Sequence, residues 1–198
     1  MILLREIIFL LLAYVLGSIP VGYILTSHYF GQNILELGSG NIGSTNVRRM
    51  TNNALGLVTQ LLDMLKGLLP IALFLLFKPL VSIPHFILFL ALAAILGHDF
   101  SLFLRFKGGK GVNTTLGATV LLAPYSVFIA VGLYFVVKWK FKYVSLGSIV
   151  IAFTLPLIQW LLYGFTPLFY YLLSCSCLIL LMHRANIVRL INGTELKS

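Results

Sequence analysis

Long apolar runs dominate the chain, and short polar segments separate them. Most of these runs approach the roughly 20 residues that a helix needs to cross a bilayer. They cover residues 1–26, 55–77, 83–96, 116–137, 146–163 and 168–182. The pattern predicts an all-α fold, a polytopic membrane helix bundle that residues 1–198 form as a single membrane domain.

Composition favours a membrane protein. The chain is 60% hydrophobic and only 10% charged, which leaves too little polar surface to cover a water-soluble globule. Its first apolar run is long and lacks the small-residue cleavage site of a signal peptide, so we expect it to remain as the first span. The basic residues are scattered in short clusters between the spans, and membrane topology explains them better than nucleic-acid binding does.

The number of spans depends on residues 113–137, which can form one kinked helix or two short helices that meet at Ala123 and Pro124. Two helices there give seven transmembrane segments, with the amino terminus outside and the carboxyl terminus in the cytoplasm. Eleven Lys and Arg residues then lie inside against two outside, whereas a single helix gives five inside and eight outside. The positive-inside rule therefore favours seven segments. The eleven are Arg48, Arg49, Arg105, Lys107, Lys110, Lys138, Lys140, Lys142, Arg184, Arg189 and Lys197.

The seven-segment arrangement implies one or two short half-spans. A helix over residues 113–123 is only about 16 Å long, roughly half of the apolar core. Such a helix must be buried by its neighbours or line a water-filled cavity. We therefore expect the loop before it to lie partly within the membrane.

The polar motifs fall on the predicted cytoplasmic side, in segments of about residues 27–52, 97–113, 138–148 and 183–198. In the first segment, glycines from Gly38 to Gly43 precede Arg49. Glycines let successive backbone N–H groups turn toward one anion, and an arginine adds a bidentate fork. This segment indicates a phosphate cradle, and a flexible turn capped by Thr and Asn is the alternative.

The second segment places Lys110 among Gly108, Gly109 and Gly111, just before a predicted helix start where an anion is favoured. It is not a Walker loop, because glycine rather than Ser or Thr follows the lysine. A positively charged anchor at the inner face is the alternative explanation.

The third and fourth segments each hold a polar pair, Ser145 with Ser148 and His183 with Asn186. A spacing of three residues places each pair on one helix face at the predicted cytoplasmic mouth. Taken alone, either pair has a simpler explanation, because membrane serines often bond to helix backbones and an interfacial histidine is usually incidental.

Asp63 and Lys66 lie one helical turn apart inside the second apolar run, where a charge without a partner is costly. We predict that they form a structural ion pair, with substrate contact as the alternative. Cys175 and Cys177 lie in the last apolar run without His or Asp neighbours at metal-ligand spacing, so no metal is predicted.

Four anion-suited motifs on one face indicate phosphate handling. The runs GSIPVG, GSGNIG, DMLKG, GGKGV and HRANI begin at residues 17, 38, 63, 108 and 183. In this order they resemble the motifs of the bacterial acyl-phosphate-dependent glycerol-3-phosphate acyltransferase family. The resemblance extends through Glu195.

The resemblance implies an enzyme of the bacterial cytoplasmic (inner) membrane with its active site facing the cytoplasm. The enzyme would transfer a fatty acyl group from a long-chain acyl phosphate to the 1-hydroxyl of sn-glycerol 3-phosphate. The products would be lysophosphatidic acid and phosphate, in the first acylation step of phospholipid biosynthesis. Its partners would be these substrates and membrane lipids, and we expect a monomer that uses no cofactor and binds no nucleic acid.

The same resemblance implies roles for particular residues. Catalytic roles fall to Ser39, Arg49, Lys110, His183 and Asn186. Substrate-binding roles fall to Gly38, Gly40, Asn41, Gly43, Thr45, Asn46, Gly108, Gly109, Gly111 and Ser148. Which substrate phosphate each residue meets stays open. No histidine has an aspartate five positions later, so the hydroxyl proton goes either to a substrate phosphate or to His183.

Three positions depart from the commonest form of these motifs. Ser44 and Asn113 stand where alanine is usual, and Met182 stands where a basic residue often precedes the histidine. None of them removes a proposed ligand. Asn113 lies beside the lysine and is placed to alter the hydrogen bonding there.

Two other classes of protein compete with the enzyme. An anion transporter or channel should line a path through the membrane with its charges, yet only Asp63 and Lys66 lie deep in a predicted span. A lipid-binding or assembly protein would use basic loops to attract anionic lipid, but that leaves the ordered Gly, Ser and Asn positions unexplained. The motif set favours the enzyme.

Overall fold

The computed structural model describes residues 2–197, and α-helices make up most of that range. The predicted all-α class is confirmed for these residues. The helices are α1 (Ile2–Ser18), α2 (Val21–Phe30), α3 (Ser44–Met50), α4 (Asn53–Phe77), α5 (Phe86–Asp99), α6 (Val112–Thr119), α7 (Pro124–Phe141), α8 (Val144–Tyr163), α9 (Pro167–Met182) and α10 (Arg184–Ile191). Two short 3₁₀ turns cover Ile34–Glu36 and Leu102–Leu104.

The ambiguous region contains two helices rather than one kinked helix. Helix α6 ends at Thr119, and Pro124 opens α7 at a position where a proline costs no hydrogen bond. With eight residues, α6 is about 12 Å long, too short to cross the apolar core. The predicted short helix is therefore present, but it ends at Thr119, four residues before the predicted end at residue 123.

Four helical segments within residues 2–197 are long and apolar enough to cross a membrane, namely Leu3–Phe30, Asn53–Phe77, Phe86–Leu104 and Val144–Tyr163. A fifth is added when α9 and α10, which meet at a bend of 61°, are taken as one span. These segments support an integral membrane protein. The seven segments and the orientation of the termini stay predictions.

The chain divides into two compact units, residues 1–118 and residues 119–198. The single membrane domain stays a prediction. In the first unit, small residues let helix backbones touch. A Cβ atom on Gly97 would lie 2.1 Å from the carbonyl oxygen of Tyr14, and one on Gly67 would lie 2.2 Å from that of Thr114. Close packing of this kind is typical of helices in lipid, and it holds α5 against α1 and α6 against α4.

The second unit joins its helices partly through buried polar pairs. The hydroxyls of Thr119 and Tyr171 lie 3.0 Å apart, and Ser126 Oγ donates to Gln159 Oε1 at 3.3 Å. All four residues are buried. Hydrogen bonds between neighbouring helices satisfy these groups where water is absent.

Candidate active site

Asn46 holds the first glycine-rich loop, residues 37–43, in place. Its Oδ1 accepts from the backbone N–H of Ser39 at 3.0 Å, and its Nδ2 donates to the carbonyl oxygens of Leu37 and Asn41, each at 2.9 Å. Asn46 is only 3% exposed. Its side-chain amide is thus engaged by the loop backbone, and it closes the loop over the first turn of α3.

Gly38 shows why this loop needs glycine. Its φ of +56° lies in the left-handed region, and an added Cβ atom would lie 2.4 Å from Oδ1 of Asn46. A side chain at residue 38 would therefore strain the backbone and displace the amide that organises the loop.

Asn41 joins the first loop to the second glycine-rich loop, residues 108–111. Its Oδ1 accepts from the N–H of Gly43 at 2.9 Å, and its Nδ2 donates to the carbonyl oxygen of Gly108 at 3.3 Å. Residues 41 and 108 are far apart in the sequence, so this contact depends on the tertiary fold. The structure brings together the two segments predicted to bind phosphate in the first unit.

The end of α5 supports the second loop. The N–H of Gly109 donates to the carbonyl oxygen of His98 at 3.0 Å. A Cβ atom on Gly109 would lie 1.9 Å from Nε2 of His98, whose side chain is buried. Only glycine fits against the imidazole here. The contact between His98 and Gly109 therefore sets how closely the second loop approaches the end of α5.

A buried ion pair lies next to His98. Nζ of Lys66 is 2.9 Å from Oδ1 of Asp63, so the pair predicted from their spacing is present. The same ammonium group donates to the carbonyl oxygen of Ile19 at 2.9 Å, and Nδ1 of His98 lies 3.6 Å from Asp63 Oδ1. The ion pair therefore connects the break between α1 and α2 with the histidine that supports the second loop.

The candidate phosphate ligands of the first unit are more exposed than Asn46 and His98, the buried residues that support the two loops. Ser39 is exposed, and Thr45, Arg49 and Lys110 are partly exposed. Two hydroxyls and two cations are therefore at least partly accessible to a dissolved anion. Such groups are suited to hold phosphate oxygens.

In the second unit, the carboxylate of Glu195 accepts hydrogen bonds from three side-chain donors. Its Oε1 accepts from Ser145 Oγ at 2.9 Å and from Asn186 Nδ2 at 2.7 Å. Its Oε2 accepts from Nε of Arg189 at 2.7 Å in an ion pair. One carboxylate thus joins the start of α8 to α10.

Glu195 is ionised at neutral pH. Burial alone raises the pKa of its carboxyl group, but the hydrogen bonds from Asn186, Arg189 and Ser145, together with the charge of Arg189, outweigh that effect. The pKa of Glu195 therefore lies below its ordinary value of 4.5. The negative charge is stabilised where it lies.

Reasoning from sequence assigned no role to Glu195. The available signal was its rarity, since the chain has only five acidic residues against fourteen basic ones. In such a chain several basic residues are possible ion-pair partners for a carboxylate near the carboxyl-terminal motif. Spacing alone gave no reason to choose Arg189 or to add Ser145.

The remaining predicted residues of this unit are buried. Nδ1 of His183 lies 2.8 Å from the carbonyl oxygen of Ile179. Because a carbonyl only accepts, Nδ1 carries a hydrogen, and in the neutral ring Nε2 then has the lone pair. Ser148 Oγ donates to the carbonyl oxygen of Val144 at 3.1 Å, so donation to another group requires its hydroxyl to rotate.

Among residues 2–197, no group of three or more His, Cys, Asp or Glu side chains is placed to hold a metal ion. The described polar segments offer hydroxyls, amides, cations and imidazoles. That set suits the binding of anions and the transfer of a proton.

A family model described as glycerol-3-phosphate acyltransferase matches residues 7–193. Curated relatives with that name are similar over almost their whole length. The protein of Clostridium acetobutylicum is 38% identical, over 96% of this chain and 98% of the relative. That of Geobacter sulfurreducens is 40% identical, over 98% of this chain and 97% of the relative.

Two crystal structures of PlsY, an integral membrane glycerol 3-phosphate acyltransferase, resemble this structure. The glycerol 3-phosphate form superposes with a TM-score of 0.89 at 30% identity and covers 98% of this chain and 96% of its own. The lysophosphatidic acid form gives a TM-score of 0.85 at 30% identity, and the match covers 98% of this chain and 95% of the PlsY chain. The similarity thus extends over the chain length in both sequence and fold.

Proposed function

Because this chain belongs to the glycerol-3-phosphate acyltransferase family, we propose that it transfers a fatty acyl group from a long-chain acyl phosphate to the 1-hydroxyl of sn-glycerol 3-phosphate. The products are lysophosphatidic acid and phosphate. The reaction is the first acylation step of phospholipid biosynthesis.

The observation that carries the proposal is the contact between the two glycine-rich loops, through Asn41 and the carbonyl oxygen of Gly108. It places the neighbours of Ser39 close to the neighbours of Lys110. Two phosphates must be held in this reaction, one on each substrate, and a pair of joined anion-binding loops suits that requirement. Ser39, Arg49 and Lys110 are the proposed phosphate ligands in the first unit.

Asn46 and Asn41 support these ligands. Their amides bond to the backbones of the loops, so their contribution is to fix the directions of the N–H groups and of Ser39. In the second unit, Ser148, His183 and Asn186 are the proposed substrate contacts, and Glu195 positions Asn186. Preorganised donors of this kind need no rearrangement when charge develops during a reaction.

The proposed chemistry needs no enzyme nucleophile. The 1-hydroxyl oxygen of glycerol 3-phosphate attacks the carbonyl carbon of the acyl phosphate and forms the new ester bond. The bond between that carbon and the phosphate oxygen breaks, and phosphate leaves with the electron pair. An acyl phosphate already carries a good leaving group, so the main task is to hold two anions together with the hydroxyl in line.

The hydroxyl proton goes to a substrate phosphate oxygen in the favoured version of the mechanism. His183 is the alternative base, because its Nε2 has the lone pair when Nδ1 donates to Ile179. The two versions differ in what the loss of His183 does to maximal turnover.

The proposed setting is the bacterial cytoplasmic membrane, with the glycine-rich loops facing the cytoplasm. Glycerol 3-phosphate then arrives from water, while the acyl phosphate arrives from the lipid. Basic residues concentrate in the loop segments assigned to that side, as the positive-inside rule requires. The proposed active form is a monomer.

The test is phosphate release by the purified protein in lipid, given palmitoyl phosphate with and without glycerol 3-phosphate. Lys110→Ala is the inactive comparison. We expect release that requires the acceptor, is lost in Lys110→Ala, and matches the lysophosphatidic acid formed mole for mole.

Two results would contradict the proposal in different ways. Turnover with acyl-CoA but not with palmitoyl phosphate would leave the acyltransferase and reject the donor. No turnover with any acyl donor, together with uptake of glycerol 3-phosphate into vesicles that contain the protein, would favour a transporter.

A further inference from the structure

Ser44 and Asn113 join the starts of the two helices that directly follow the glycine-rich loops. Nδ2 of Asn113 donates to Oγ of Ser44 at 3.1 Å. Ser44 is the first residue of α3 and Asn113 is the second residue of α6. The side chain of Ser44 is buried and that of Asn113 is half-buried. The contact therefore lies inside the first unit rather than on a loose surface.

The Ser44–Asn113 contact and the Asn41–Gly108 contact lie on opposite sides of Lys110 along the chain. One ties Gly108, two residues before the lysine, to Asn41, and the other ties Asn113, three residues after it, to Ser44. The backbone around Lys110 is thus held at both ends by the segment that follows Ser39. With only one contact, the second loop could pivot about that point.

The Ser44–Asn113 contact differs from the Asn41 contact in composition. Both of its partners are side chains, and neither residue is a proposed phosphate ligand. Removing the contact therefore leaves every proposed ligand in the chain and changes only how the loops are held.

We propose that Ser44 and Asn113 are a coupled positioning pair, which sets the separation of the loop carrying Ser39 from the loop carrying Lys110 and so sets the affinity for glycerol 3-phosphate. The inference rests on the proposed function and adds a determinant to the same site. Loss of either partner leaves the other with an unsatisfied polar group and frees the loop. Loss of both replaces a polar contact by an apolar one, which costs less than the two separate losses together.

The experiment is a double-mutant cycle with Ser44→Ala, Asn113→Ala and the combined variant, purified in lipid. Glycerol 3-phosphate is varied at saturating palmitoyl phosphate. We expect each single variant to raise KM by about 3- to 10-fold, with kcat changed less than about 2-fold, because the contact is worth about one hydrogen bond. The combined variant should raise KM no more than the worse single variant.

Ser174→Ala is the matched control. Ser174 is an exposed serine in α9 whose Oγ donates to the carbonyl oxygen of Tyr170, and its loss should leave KM and kcat unchanged. The thermal midpoint of each variant in detergent is measured beside the kinetics. A partly unfolded preparation would contain a smaller active fraction, which lowers the apparent kcat but does not raise KM.

Single variants with unchanged KM would overturn the inference, and so would a combined effect equal to the product of the two single effects. If the wild-type protein fails to turn over palmitoyl phosphate, the proposed donor is wrong, and the same cycle is run on the Kd for radiolabelled glycerol 3-phosphate. Coupling in Kd would then support the pair, and unchanged or multiplicative Kd values would reject it.

Discussion

Asn186 and Glu195 share a 2.7 Å hydrogen bond in which the amide Nδ2 donates to a carboxylate oxygen that also accepts from Ser145. Asn186 was predicted to be catalytic, and this bond sets which way its amide faces. With Nδ2 directed at Glu195, Oδ1 is the other polar atom of that side chain. The orientation of a proposed substrate contact thus depends on a carboxylate outside the predicted set.

We expect Glu195→Gln to lower both stability and activity. Glutamine keeps the size of the side chain but removes the charge that pairs with Arg189, and its amide nitrogen cannot accept a hydrogen bond. The loss of charged hydrogen bonds in a buried place should cost about 2–3 kcal/mol. Thermal unfolding in detergent measures the first effect, and phosphate release measures the second. A variant with the midpoint and turnover of the wild type would show that Glu195 positions nothing.

The stabilisation by Glu195 should also depend on pH. Its folded pKa lies below its ordinary value of 4.5, so the folded state binds this proton more weakly than the unfolded state. The contribution is therefore fully present above pH 4.5 and is lost as the pH falls through the lowered folded pKa. The difference in midpoint between the wild type and Glu195→Gln should be constant near neutral pH and shrink in acid. A difference that grows in acid would contradict this.

The sequence was informative where the physical constraint is local. A proline inside a long apolar run predicts either a kink or a helix boundary, and α7 begins at Pro124. Two opposite charges one turn apart in an apolar run are costly unless they pair, and Lys66 and Asp63 do so. In both cases the residues that decide the outcome are neighbours along the chain.

The sequence was less informative where the partners are distant. Asn46 was predicted to bind substrate, but spacing could not show that its amide would be engaged by three backbone groups of its own loop. Asn113 and Ser44 are 69 positions apart, and their contact exists only once the start of α6 packs against the start of α3. Residue types indicate which groups bond well, but the fold decides which of them meet.

Asn46→Asp tests the organisation of the first loop. Aspartate keeps an acceptor for the N–H of Ser39 but loses both donors, so the carbonyl oxygens of Leu37 and Asn41 face a carboxylate instead of an amide. We expect kcat/KM to fall by about 100-fold or more, because misplaced ligands lose most of the benefit of positioning. Asn53→Asp, at an exposed site in the first turn of α4, is the matched change and should leave kcat/KM unchanged. Equal activity of the two variants would reject the role of Asn46.

Gly109→Ala tests the fit of the second loop against His98. The added methyl group would lie 1.9 Å from the imidazole Nε2, so either the loop or the ring must move. We expect a raised KM for glycerol 3-phosphate and a lower kcat, measured by phosphate release. Gly132→Ala in α7 is the control, because an added Cβ atom meets nothing within 4 Å there and should stabilise the helix by about 0.5–1 kcal/mol. Normal kinetics of Gly109→Ala would show that the close approach of the second loop to His98 is not needed for activity.

Lys66→Met tests the buried ion pair. The change leaves the Asp63 carboxylate buried without its cation and should lower the free energy of unfolding by about 3–5 kcal/mol. The combined variant Asp63→Asn with Lys66→Met removes both charges and should be clearly more stable than Lys66→Met alone. Unfolding followed by thermal or denaturant titration in detergent compares them. A combined variant as unstable as the sum of the two single changes would indicate that the charges act separately.

His183→Ala distinguishes the two routes for the proton. If a substrate phosphate takes it, the loss of the imidazole removes a substrate contact, so KM should rise while kcat stays within about 10-fold of the wild type. If His183 is the base, kcat should fall by about 100-fold or more, and the acidic limb of the kcat profile against pH should disappear. We expect the first result, because phosphate is itself a proton acceptor at the reacting centre. A fall in kcat together with the loss of that limb would instead assign the proton to Nε2, the nitrogen left with the lone pair when Nδ1 donates to Ile179.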